Sequence, residues 1–157
     1  MAGPNIAIYN SNNTSTVSTW NVGTVQAQTP SAELVVNIWN NKGGQTAVSD
    51  LKDCTVTVLD SNGSTYTEDV AREKWVQVNV QSVDGNTTTW TAIGGETTHG
   101  IRANSGQSEN TISGAINNGQ ATSSGTNVCT AKFRVNTPIN ATPGSKSFKI
   151  RLTGYYT

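Results

Sequence analysis

Apolar and polar residues alternate along this chain with a period of two, in short runs divided by clusters of Gly, Asn, Ser and Pro. That period sends successive side chains to opposite faces of a pleated strand, so each run predicts a half-buried β-strand. The clearest early run covers 33–39, where Leu34, Val36 and Ile38 point one way and Val35 and Trp39 the other. Asn40-Asn41-Lys42-Gly43-Gly44 ends it, because Asn and Gly tolerate the positive φ of a sharp turn. Residues 6–9 predict a short first strand, and 18–25 a second that carries Trp20, Val22 and Val25. A strand is expected over 54–59, with Cys54, Val56 and Val58 on one face. Another is expected over 75–80, with the valines inward and Trp75, Gln77 and Asn79 outward. Asp60-Ser61-Asn62-Gly63 is a hairpin turn of the Asn-Gly class, and Asp84-Gly85-Asn86 turns the chain into a strand over 88–93. Shorter strands fall near 98–103 and 111–116. Two more, at 128–135 and 146–152, flank a loop that begins at Pro138 and ends at Pro143-Gly144.

Helix signals are nearly absent. Residues 68–73 allow one turn, too short to persist alone. The expected fold is therefore all-β: an antiparallel β-sandwich of about eight to ten short strands, set about a dozen residues apart. A chain of 157 residues suits one domain, 1–157, with 1–19 as an extended N-terminal strand or an arm. No repeat of fixed period appears, which argues against a propeller or solenoid.

Composition changes this picture in one respect. Hydrophobic residues make up 34% and charged residues only 13%, and ten Lys and Arg balance ten Asp and Glu. Disordered chains are also poor in apolar residues but usually carry high net charge, which this chain lacks. Its polar surface is expected to be neutral, built of Asn, Thr, Ser and Gln. Basic residues such as Lys42, Lys52, Arg72, Lys132 and Lys149 are scattered singly, so nucleic acid is not an expected partner. No 18-residue apolar run predicts a spanning helix, and the start Met-Ala-Gly-Pro-Asn lacks the features of a signal peptide.

Candidate chemistry is sparse. His99, the single histidine, lies beside a Gly-Gly turn with no Gly-x-Ser-x-Gly elbow, and is expected at the surface rather than in a catalytic triad. The acidic residues are dispersed on turns, unlike the paired carboxylates of a glycosidase. Asp60-Ser61-Asn62-Gly63-Ser64 and Asp84-Gly85-Asn86 lack the bidentate Glu of a calcium loop and are expected to be plain turns. Two cysteines and one histidine show no zinc spacing. No catalytic, cofactor or metal residues are therefore expected. Sequons at Asn12, Asn13, Asn62, Asn86 and Asn140 follow from composition. The aromatics remain: Trp20, Trp39, Trp75, Trp90, Tyr155 and Tyr156 are the candidate contact residues, as a carbohydrate platform or as protein-contact anchors.

Three stretches carry a resemblance: Leu-Val-Val-Asn-Ile-Trp-Asn-Asn-Lys-Gly-Gly at 34–44, the strand at 74–81, and the ending 128–156. Through them the chain resembles small proteins encoded among the structural genes of tailed bacteriophages and prophages of Gram-positive hosts. Its close, a strand, then Pro-x-x-Ala-x-Pro-Gly, then a strand, is also similar to immunoglobulin-like modules. The resemblance implies an immunoglobulin-like sandwich and a non-enzymatic virion component. The first expectation is a capsid decoration (cement) protein that binds the outside of the head, assembles in the host cytoplasm and is released by lysis. Its partners would be the major capsid protein or other virion proteins, and it could form a homo-oligomer. The alternatives are a tail, baseplate or fibre module that reads host glycan, and a bacterial surface or carbohydrate-binding module. In an immunoglobulin-like sandwich Cys54 and Cys129 could face each other and form a bridge worth ~4 kcal/mol in the chain-entropy model. Without an export signal the expectation is two buried free thiols.

Overall fold

A computed structural model describes residues 1–122 and 124–157. Among the described residues eight strands form two antiparallel sheets packed as a sandwich. They are β1 (Ile6–Asn10), β2 (Leu34–Asn40), β3 (Lys52–Asp60), β4 (Val76–Asn79), β5 (Thr91–Ile93), β6 (His99–Gly100), β7 (Val128–Val135) and β8 (Phe148–Tyr155). The larger sheet runs β1-β2-β7-β4-β5 and the smaller β6-β3-β8. Two four-residue helices, α1 (Asp69–Arg72) and α2 (Gln81–Asp84), flank β4. Among the described residues no helix is long and apolar enough to cross a membrane.

Period two decides the packing. Val36 and Ile38 of β2, Val56 and Val58 of β3, and Cys129, Ala131 and Phe133 of β7 enter the core between the sheets. Each aliphatic side chain so buried contributes about 1.5–3 kcal/mol, the term that holds the sheets together. The β3 register slips between Lys52 and Thr55, a bulge with Asp53 at φ 48.

In an immunoglobulin sandwich strands A, B, E and D form one sheet and C, F and G the other. Here β1, β2, β7 and β4 follow the A-B-E-D order, and β3 and β8 take the places of C and F. Among the described residues no strand lies in the place of G. β8 is therefore an edge.

Several expectations are corrected. Residues 18–25 form no strand: Asn21 Oδ1 accepts the Gly23 amide at 3.1 Å, and Gly23 takes φ 77, so the run bends away from any partner. It is a strap whose Trp20, Val22 and Val25 pack against the core. Residues 111–116 contribute one bridge, Leu51 to Ile112. The expected strand at 88–93 is reduced to β5, and α2, unforeseen, is ended by Gly85 at φ 75. The N-terminal residues fold into a hairpin on β2, with the Val17 amide donating to the Ile8 carbonyl at 2.9 Å.

Candidate functional site

The most unusual surface is the β8 side of the sandwich. Phe148, Ile150 and Leu152 are half-buried on its inner face, and Lys149, Arg151 and Thr153 are exposed on its outer face. Among the described residues β8 pairs with β3 alone, with Val58 opposite Ile150 and Val56 opposite Leu152. An unpaired strand edge is a row of backbone donors and acceptors ready to pair with another chain.

Beneath that edge the sheets part. A half-open trough of about 1170 Å³ lies between them, lined by Ile8, Val36, Val56 and Phe133, by the inner residues of β8, and by the strap. Its volume slightly exceeds the range of about 300–1,000 Å³ typical of small-molecule pockets. Lys146 ties the segment before β8 to α1 through a 2.9 Å ion pair with Asp69. That hydrogen bond from Lys146 comes first among the influences that lower the Asp69 carboxyl.

The six aromatic candidates divide between three environments. Trp20 and Trp75 come together as trough-lining residues, and the Trp20 ring meets Phe148 edge-on at 5.8 Å. Trp75 is not outward as its alternation suggested: it is buried, its indole N–H donating to Glu73 Oε2 at 3.0 Å. Asn79, also expected outward, is buried and donates to the Asn86 and Thr89 carbonyls. Trp39 does occupy the face opposite Val36 and Ile38, but it is only 1% exposed. The N-terminal hairpin covers it, with the indole N–H donating to Asn13 Oδ1 at 2.9 Å and Lys42 over the ring. Trp90 lies under the Arg134 guanidinium, 4.2 Å from its centroid. Trp39 and Trp75, being buried, present no open ring for a sugar platform, whereas Trp90 is half-buried. Tyr155 and Tyr156 are exposed at the end of β8. Sequence reasoning missed Phe133, Lys149 and Arg151 as site residues. The alternation in 146–152 marks the two faces of β8 but not its lack of a neighbour.

His99 is not at the surface. It is 8% exposed, with Nε2 2.9 Å from Asp84 Oδ1 and Nδ1 2.6 Å from the Gly100 carbonyl oxygen. Among the described residues no serine accompanies that pair in its hydrogen bonds, and it does not line the trough. Cys54 and Cys129 are buried free thiols, and burial pushes each up to about 12, so both stay protonated and unreactive. Among the described residues no group of three His, Cys, Asp or Glu side chains converges as a metal centre would. Asp60 ends β3 and its carbonyl accepts the Gly63 amide of the turn that follows. Burial would raise its carboxyl, but hydrogen bonds from the Thr65 hydroxyl, the Thr67 and Glu68 amides and the Thr67 hydroxyl outweigh that and lower it to about 2.

Fold and site together define an open antiparallel sandwich with an unpaired edge strand over an apolar trough. Compared with family models, curated proteins and solved structures, the chain finds no match.

Proposed function

We propose that this protein is a non-enzymatic structural component that docks on other protein, and that its setting is the outer surface of a phage head, as a decoration protein. The single observation that carries the docking reading is the eight-residue edge of β8 beside the trough. Backbone groups and apolar side chains offered along one line suit another polypeptide better than a small substrate. The setting rests on the resemblance of 34–44, 74–81 and 128–156 to phage structural proteins.

The mechanism is passive. A protein that binds the assembled lattice and not its dispersed subunits adds binding free energy to the assembled state alone. Many copies on one symmetric shell multiply a modest site affinity into a large total. The test is sedimentation of purified protein with expanded heads of the phage that encodes it, and heating of virions with and without it. Binding to heads, and rupture of undecorated virions at lower temperature, supports the reading. Heads that neither bind the protein nor lose heat resistance without it reject it.

A further inference from the structure

We propose that β8 takes up an added strand from a different protein: an extended segment in which apolar side chains alternate with acidic ones. This deepens the docking reading above and rests on it.

The backbone supplies the first reason. β8 is eight residues long, and among the described residues its outer edge has no strand partner. The strap does not supply one. Between residues 18 and 25 no backbone amide donates to β8, and the bend at Gly23 prevents an extended run. The strap lines the trough without completing the sheet.

Side chains supply the second reason. An added strand continues the pleat of β8, so its alternate residues fall on the same face as Phe148, Ile150 and Leu152, over the trough. Those positions call for apolar residues. The intervening ones fall on the outer face beside Lys149 and Arg151, which are exposed and form no ion pair among the described residues. Opposite charges directly across a ladder stabilise it and like charges oppose it. The segment is therefore acidic where β8 is basic.

The same two residues argue against a second copy of this chain. Antiparallel pairing of β8 with β8 centred on Ile150 would set Lys149 against Arg151, and centred on Arg151 would set that residue against itself, a common means by which edge strands avoid self-association.

The test uses the full chain and two fluorescein-labelled peptides, Thr-Val-Glu-Val-Glu-Val-Thr-Val and its counterpart with Lys for Glu, read by anisotropy. The acidic peptide should bind about tenfold tighter. The double variant Lys149→Glu/Arg151→Glu, altered only at exposed positions, should reverse that order while its thermal midpoint stays close to the parent's. Equal binding of the two peptides, binding of neither, or an unchanged order in the variant overturns the proposal. So does a dimer of the chain that the double substitution dissolves, which would assign the edge to a second copy. Heads separate this from the broader reading. Parent protein that decorates heads but ignores both peptides leaves docking intact and removes strand addition. Failure to decorate, with the peptide order as expected, removes the head as the setting and keeps the site.

Discussion

His99 Nε2 lies 2.9 Å from Asp84 Oδ1, and both side chains are more than nine-tenths buried. The pair joins β6 to α2, and the other Asp84 oxygen accepts the Val80 amide at 2.8 Å at the start of that helix. A buried hydrogen bond that loses one member leaves the other unsatisfied, at a cost of about 1–3 kcal/mol. Asp84→Ala and His99→Ala should each lower unfolding free energy by about 2 kcal/mol in urea titrations, and the double variant by less than their sum. A loss below about 0.5 kcal/mol in either would class the contact with exposed pairs instead.

Asp60 gives the acid limb a specific origin. Its carboxyl is lowered from 3.8 to about 2, so the folded state holds fewer protons there than the unfolded chain. Its contribution is fully present above about pH 4 and is lost as pH falls towards 2. Thermal midpoints measured from pH 5 down to pH 2 should fall less steeply in Asp60→Asn than in the parent. Parallel curves would contradict this.

For the two thiols the sign is opposite. Cys54 and Cys129 are raised from 9.0 to about 12, mainly by burial, so their contribution is fully present below pH 9 and is lost as pH rises towards 12. Titration with a chromogenic disulfide at pH 8 should find no reactive thiol in the folded protein and two after denaturation. Rapid reaction of either thiol in the native state would be the contrary result.

The sandwich was legible because alternation survives in nearly every strand, and alternation is a local property. What covers each face is not local. The period places Trp39 opposite Val36 and Ile38, as found, but cannot show that Asn13 from the hairpin closes over it. Trp75 departs from its alternation because Lys74 takes φ 56 and β4 begins only at Val76. Residues 18–25 have the pattern of a strand but no edge to join. The open side of β8 depends on where every other strand went, so no stretch of sequence around Phe148 could announce it.

Asparagine was also only half legible. An amide-rich composition suggests surface, yet Asn40 is fully buried, its side chain donating to the Ser49 and Ile112 carbonyls and accepting the Asn5 amide. Asn127 does similar work, donating to the Asn40, Ser113 and Ala115 carbonyls. These amides fasten loops that form no strands to the end of the larger sheet. Asn40→Ala strands the Asn5 amide and the Ser49 carbonyl, while the Ile112 carbonyl keeps the Leu51 amide, so a loss of about 3 kcal/mol in chemical denaturation is expected. Asn62→Ala, in an exposed turn with its own local hydrogen bonds, should cost under about 1 kcal/mol. Equal losses would show that Asn40 is no more structural than a surface residue.

Hydrogen–deuterium exchange of the protein, free and bound to heads, asks where contact falls. Those amides of Phe148–Tyr155 that point away from β3 should slow at least about tenfold on binding, because backbone pairing along an open edge is what protects them. Unchanged exchange there, with protection instead over the Trp39 or Trp90 side of the larger sheet, would contradict docking through β8.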